Sequence, residues 1–280
     1  SMLVDTLYTL DMTREMIETM RRSLPATRSF DTLVNSHADG DHTWGNQLIE
    51  GAQIIATRNT AEDMPNFTPE AAMHLKSGDP ELGLAGRFVQ QIFAPFDFSG
   101  IELTLPTTTF TGTMTIPVGE KAVELIQLGP AHSRGDLIVH VPDDRVAYVA
   151  DLLFIGGHPA IWSGPIASWV DACNRIIDLD VDVIVPGHGP VTDNDGVRRI
   201  RAYLEFVSTE GRRFQAEGLS PWEAALAIDL SPYEGWTDEE RIVLAMETIY
   251  GELNPNPGPP DLIDLFAKMA RYYDHKGLLR

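Results

Sequence analysis

Metal-ligand-type side chains stand directly after apolar β-type runs at four separated places in this sequence, so a fold that serves them all must bring four strand ends together. The densest place is His37-Ala38-Asp39-Gly40-Asp41-His42, which packs two imidazoles and two carboxylates into six residues. In an extended or turn-like backbone, side chains two apart lean the same way. His37, Asp39 and Asp41 can therefore converge while His42 reaches the same cavity. His132 follows the run 122–128, Asp151 closes the run 146–150, and His188 lies in Val185-Pro186-Gly187-His188-Gly189-Pro190. Taken alone, the cluster at 37–42 reads as a polar turn, and His132 and His188 as satisfied core histidines. Taken together, they read as ligands.

Between residues 3 and 190, short β-type runs alternate with helical stretches, the pattern of a layered α/β or α+β domain. Candidate strands are 3–5, 32–35, 53–56, 114–116, 122–128, 137–141, 146–150 and 183–185, with a hairpin loop at Pro142-Asp143-Asp144-Arg145. Residues 60–95 turn helical and irregular, broken at Met64-Pro65 and Gly78-Asp79-Pro80, and read as an insertion. A further helix is expected over 164–178, which places Cys173 as a small buried residue. From 191 to 280 the chain becomes a helical region, with amphipathic helices near 196–217, 220–229, 237–252 and 260–274. Ser220-Pro221-Trp222-Glu223 and Thr237-Asp238-Glu239-Glu240 both have the residues of a reciprocal helix cap. Met246, Ile249, Tyr250 and Leu253 form one apolar stripe, expected to pack in the core. A Pro- and Gly-rich linker spans 254–260. The leading Ser1-Met2 reads as a remnant ahead of the native sequence and is set aside.

Composition limits the chemistry. With one cysteine, Cys173, neither an internal disulfide nor a thiolate-rich zinc module is available. Any metal must rest on imidazole and carboxylate, a donor set suited to zinc, iron or manganese. The 41 acidic against 21 basic side chains leave a formal charge of -20, which repels phosphate backbones and anionic lipid. Neither a nucleic-acid nor a membrane partner is expected, and a small-molecule substrate is. No apolar run approaches the roughly 20 residues of a bilayer span and no secretory leader stands at the start, so a soluble, cytoplasmic protein is expected.

The ordered set His37, Asp41, His42, His132, Asp151 and His188 resembles the signature of the metallo-β-lactamase superfamily: His-x-His-x-Asp-His, then a distant His, a bridging Asp and a final His. His132-Ser133-Arg134-Gly135-Asp136 is similar to the family's His-Thr-x-Gly turn, and Pro186-Gly187-His188-Gly189 to its last ligand loop. The resemblance covers roughly residues 3–190, and Asp39 stands where the family has its second His. It implies an α+β fold, an αββα sandwich with the C-terminal helices as an extension. It also implies two divalent metal ions, zinc first and iron or manganese as alternatives. His37, Asp39 and His132 would form one site, Asp41, His42 and His188 the other, with Asp151 bridging. The implied enzyme is a hydrolase of an ester, lactone, thioester or related acyl bond, acting through hydroxide shared by the metals, with Asp41 as the catalytic proton acceptor. Family members carry one or more strands before the segment that Leu3-Val4-Asp5-Thr6 resembles. An open sheet edge is therefore expected, met by an earlier start of the chain or by another chain, for which a homo-oligomer is one form.

Asp39 adds a negative charge and a hard oxygen donor, which shifts preference toward iron or manganese. The flavodiiron branch of the superfamily likewise has a carboxylate there, a Glu. Two further readings stand beside the hydrolase: a diiron oxygen-using or cyclase-like enzyme on the same fold, and a non-catalytic binding protein with a degraded site. His74, His140, His158 and His275 lack ligand context and read as surface or structural residues; Asp136 reads as a brace for the His132 loop. Trp44, Phe154 and Trp162 are candidates for an apolar pocket wall.

Overall fold

The first sheet is parallel throughout, in the order β1 (Met2–Val4), β2 (Thr32–Val34), β3 (Gln53–Thr57), β4 (Thr108–Phe110). Parallel neighbours require crossovers, and α1 (Leu10–Ser23) supplies the first. It starts where the Thr9 side chain accepts from the Met12 amide and turns Thr13 and Ile17 inward. Ile17 packs with Leu3, Leu33 and Ile54 on the sheet's outer face. The inner face carries Val34, Ile55 and Phe110. The computed structural model describes residues 1–24, 29–254 and 261–278. Most of the Pro- and Gly-rich linker, 255–260, lies outside the described residues.

The second sheet runs in sequence order: β5 (Thr113–Val118), β6 (Lys121–Gln127), β7 (Leu137–Val141), β8 (Val146–Phe154), β9 (Val183–His188). Its pairs are antiparallel except β8 with β9, which α6 (Ile166–Ile177) separates in sequence. Val123, Leu125, Leu137 and Val139 face the first sheet and close the layer between the two. On the other face Ala147, Val149 and Leu152 pack against Trp169, Cys173 and Ile176 of α6 and against Val197, Ile200 and Leu204 of α7 (Asn194–Ala216). The result is an α+β sandwich, helices outside two facing sheets, with a helical extension at its C-terminal end.

Four expectations change. Met2 belongs to β1, and the Ser1 carbonyl accepts from the Asp31 and Thr32 amides, so the two residues set aside in the sequence take part in the sheet edge. β4 was not expected: Thr108-Thr109-Phe110 is short and polar, and its place comes from pairing with β3. β8 does not end before Asp151 but continues to Phe154 through two irregularities of register. The Ser220 cap forms as a reciprocal box with Glu223, whereas Thr237 caps nothing. Its backbone bonds Gly156 and His158 and its hydroxyl donates to Asp238, so α9 (Arg241–Glu252) begins later, at a Glu240 with no capping bond.

Residues 58–92 form α3 (Arg58–Asp63), α4 (Pro69–Lys76) and α5 (Gly83–Ile92). α5 meets the last helix, α10 (Leu262–His275), where the Phe88 ring lies 5.3 Å from Tyr273 and 6.4 Å from Phe266. α8 (Pro221–Ala227), α9 and α10 share one apolar core with the second sheet. Met246 and Ile249 are buried in it, and Tyr250 and Leu253 pack at its margin.

Candidate metal centre

The loop after β2 carries His37 and Asp39, and the single turn α2 (Gly40–Thr43) carries Asp41 and His42. Asp39 occupies the N-cap of this turn, yet its side chain makes no capping bond and is left free to face His132. Gly40 is required there, because a Cβ would lie 2.4 Å from the Trp44 ring. The His42 carbonyl is fixed by the Thr6 amide at 2.9 Å and the Asn35 amide at 3.3 Å, with Asn35 itself paired to Asn46.

His132 sits in the loop after β6. Asp136 braces that loop by accepting from the Ser133 amide (2.9 Å) and hydroxyl (2.6 Å). Thr57 and Thr60 hydroxyls donate to the Gly135 carbonyl. Asp151 lies in β8 beside Ala150, whose φ of 45° is a left-handed value rare outside glycine. Across from it Gly187 leaves room for the carboxylate, since a Cβ there would come 1.9 Å from Asp151 Oδ1. His188 closes β9 with its ring stacked on Phe154 at 4.9 Å.

All seven side chains meet at one place. Ligand atoms of His37, Asp39 and His132 lie within 4.8 Å of one another, as do those of Asp41, His42 and His188, and those of His37, His42 and Asp151. Asp151 lies among all four histidines: its oxygens are 3.1 Å from His42 Nε2, 3.2 Å from His188, 3.5 Å from His132 and 3.8 Å from His37.

Outer partners decide which ring nitrogen faces inward. His132 Nδ1 donates to the Ala160 carbonyl at 2.7 Å, and His42 Nδ1 donates to Asp5 Oδ2 at 2.9 Å. The Ser36 hydroxyl donates to the same Asp5 oxygen at 2.7 Å and accepts from His37 Nδ1 at 2.9 Å. With Nδ1 held by these outer partners in each, Nε2 is the nitrogen that faces the centre. Asp5, held by the Ser36 amide at 2.7 Å, thus orients two rings at once. Its part was missed in the sequence, where it is one more carboxylate at a strand end, 37 residues from the His42 it serves.

The charges are unbalanced in a way that suits cations. Burial alone would push Asp39, Asp41 and Asp151 up, but the neighbouring imidazoles overcome it and hold all three below the usual carboxylate range. Burial alone would push His132 and His188 down; the carboxylates outweigh it and raise them to about 9 and about 10. His42 is raised well above its ordinary value by Asp151 and Asp41, again against burial. Three carboxylates therefore demand compensating positive charge. His37 Nε2, His42 Nε2 and Asp151 Oδ1 are buried without a hydrogen bond of normal geometry, although the last two lie 3.1 Å apart. Buried polar atoms left so are destabilising, and together they form a donor set that fits a divalent ion.

A family model described as the metallo-beta-lactamase superfamily matches residues 1–188. The chain belongs to this superfamily. Its sandwich is similar to that of a metallo-beta-lactamase from Pontibacter korlensis, at 17% identity, covering 73% of this chain and 81% of that one with a TM-score of 0.53. A stereoselective inverting sec-alkylsulfatase from Pseudomonas sp. is similar in fold over 99% of this chain and 52% of its own, with a TM-score of 0.66 at 16% identity. That likeness includes the C-terminal helices. Among curated proteins, 2,4-dinitroanisole O-demethylase subunit alpha from a Nocardioides strain is 26% identical over 243 residues, which are 84% of this chain and 58% of that protein. The chain therefore spans a little over half the length of that relative.

In this member of the superfamily the His and Asp cluster opens onto a cavity of about 1150 Å³. Phe154 and Trp162 line it, while Trp44 is core behind it, stacked on Tyr8 at 5.1 Å. Tyr8, Phe93, Phe266 and Met269 add further apolar wall. Glu240, expected only as part of a helix cap, and Arg241, which the sequence did not single out, also line it. His140 pairs with Glu124 at 2.9 Å, and His158 is buried against Tyr203, both away from the ligand cluster. Among the described residues no helix is long and apolar enough to cross a membrane.

Proposed function

We propose that the chain is a metal-dependent hydrolase of a small molecule, cleaving an ester, lactone, thioester or related acyl bond. The reading takes His37, Asp39 and His132 as ligands of one divalent ion, Asp41, His42 and His188 as ligands of a second, and Asp151 as the group between them. Zinc is the first expectation; the hard oxygen of Asp39 keeps iron and manganese open. The observation that supports it most is the trio of buried ligand atoms on His37, His42 and Asp151 that lack a normal hydrogen bond, beside a large apolar cavity. Divalent ions in such a setting polarise a carbonyl and make water acidic enough to yield hydroxide near neutral pH.

The chain's own residues divide the remaining work. Asp41, with a side chain about a third exposed, stands at the cavity side 3.3 Å from His188, and Asp151 is buried among the rings. Asp41 is thus the carboxylate placed to accept a hydrogen bond from attacking water. Held far below its ordinary pKa, it is a weak base, so it orients that water and passes a proton on to the leaving group rather than storing it. The aromatic walls exclude bulk water and strengthen each electrostatic contact.

The test is metal content of freshly purified protein followed by a panel of aryl esters and lactones. Turnover that disappears with chelation and returns with metal is expected; metal-loaded protein inert on the whole panel overturns the acyl reading. One observation favours a second reading: the relative at 26% identity is by name an O-demethylase subunit, so removal of an alkyl group from an aryl ether oxygen is the alternative. Such a reaction can run by hydrolysis or with oxygen. Substrate-dependent oxygen uptake by iron-loaded protein would select the oxygen-using form.

A further inference from the structure

Beyond the His and Asp cluster, one side chain on the cavity wall has a buried oxygen without a hydrogen-bond partner. Glu240, the residue before α9, is 5% exposed, lines the cavity, and leaves Oε2 without a hydrogen bond. The charged and titratable groups around it are otherwise engaged. Glu239 accepts from Lys276 at 2.8 Å and from the Tyr272 hydroxyl at 2.5 Å. Arg241 donates to the His158 carbonyl at 3.1 Å, lies 3.6 Å from Asp238, and covers the Phe154 ring at 5.4 Å. Tyr273 of α10 is neutral, its hydroxyl pushed up by burial and then by Glu240 and Asp238. Among the described residues no Lys or Arg forms an ion pair with Glu240.

Position gives this group its reach. Arg241 sits over Phe154, and Phe154 stacks on His188, so the start of α9 is one aromatic ring from the ligand cluster. The surrounding wall is aromatic, with Tyr8, Phe93, Trp162 and Phe266. Its two arginines already have partners, Arg241 as above and Arg134 with Asp63 at 2.7 Å. Apolar pockets with a few convergent polar groups recognise apolar ligands by shape and orient them by those groups.

We propose that Glu240 is a specificity-determining contact, its carboxyl donating one hydrogen bond to an acceptor oxygen on an uncharged aromatic substrate held against this wall. This deepens the hydrolase reading and rests on it only in taking the cavity as the substrate site. Burial pushes the Glu240 carboxyl up, Asp238 and Glu239 add to that, and its own amide and Arg241 oppose it; the balance stands at about 7. The donor is therefore present below that pH and lost above it.

Two isosteric probes separate the hydrogen bond from shape: acetophenone, which has the acceptor oxygen, and α-methylstyrene, which has a methylene in its place. Calorimetric titration of the full chain at pH 6 is expected to show about a fivefold preference for acetophenone, the scale of one hydrogen bond. That preference should fade at pH 8.5. Glu240→Gln, which keeps a donor, should preserve it at both pH values, and Glu240→Leu should abolish it at both. An unchanged preference in Glu240→Leu overturns the proposal. So do a pH-dependent fade in Glu240→Gln, absence of acetophenone binding, and tighter binding of 1-phenylethylammonium as pH rises. No turnover is needed. If the preference stands while the wild type hydrolyses nothing, only the acyl-hydrolase reading fails; Asp41→Asn should keep the preference while losing hydrolysis.

Discussion

Two of the places where this molecule encloses histidine, the His and Asp cluster and His158, show burial leading to opposite outcomes. In the ligand cluster His42, His132 and His188 are pushed toward protonation because Asp39, Asp41 and Asp151 crowd them. His158, packed by the rings of Tyr203 and Trp236 at 5.3 and 5.7 Å, is driven down to about 4, burial outweighing Glu239 and Asp238. Only in the first place does the fold gather more negative charge than the imidazoles can neutralise without protons or metal. The aromatic cage around His158 keeps that ring neutral; the carboxylates around His42, His132 and His188 favour a positive charge beside them.

The comparison is broken most severely by altering the carboxylate cage. Asp41→Asn keeps shape but removes charge, and hydrolytic kcat is expected to fall by about 10²–10⁴-fold. Steady-state kinetics on the best ester of the panel would measure it, and a fall below tenfold would remove Asp41 from the proton-handling role. Asp5→Asn leaves every ligand in place while losing the shared acceptor behind His37 and His42. Metal affinity should weaken by about 10–100-fold, read by competition with a chromogenic chelator.

Acid sharpens the contrast. His158 has a folded pKa of about 4, below the ordinary value of about 6.5, so its stabilising effect is present above about 6.5 and lost as pH falls toward about 4. At pH 5 that loss is on the order of 2 kcal/mol relative to pH 7.5. Urea unfolding at the two pH values should show His158→Gln lacking this increment; an equal loss in both proteins would refute it. In chelator-treated protein the cluster has the opposite sign: His132 and His188 stabilise below about 6.5 and cease to do so as pH rises through about 9 and about 10. The smallest effect belongs to the helical extension. Ser220→Ala breaks the Glu223 box and should cost about 1 kcal/mol with no change in metal content.

What could be read in the sequence follows the same division. His37, Asp39, Asp41 and His42 were visible because ligating types are rarely so dense, and His132, Asp151 and His188 because each follows an apolar strand-type run in the sequence. Asp5 was not, because its value depends on β1 lying beside β2, a pairing between residues 30 apart such as Leu3 and Leu33, which sets Asp5 against the Ser36 amide. β4 carries two threonines in three residues and owes its form to β3. Glu240 was read as half of a helix cap with Thr237; the Thr237 amide that its carboxyl would have accepted from donates to the Gly156 carbonyl instead, and Glu240 lines the cavity. The aromatic roof draws on α5, α10 and the loops between, brought together only by packing.

The most direct test of the central claim is the metal content of the freshly purified chain and of Asp151→Asn, by mass spectrometry of the digested protein. The wild type is predicted to hold about two divalent ions per chain and the variant markedly fewer. A wild-type chain that stays essentially metal-free after incubation with zinc, manganese and ferrous iron would contradict it.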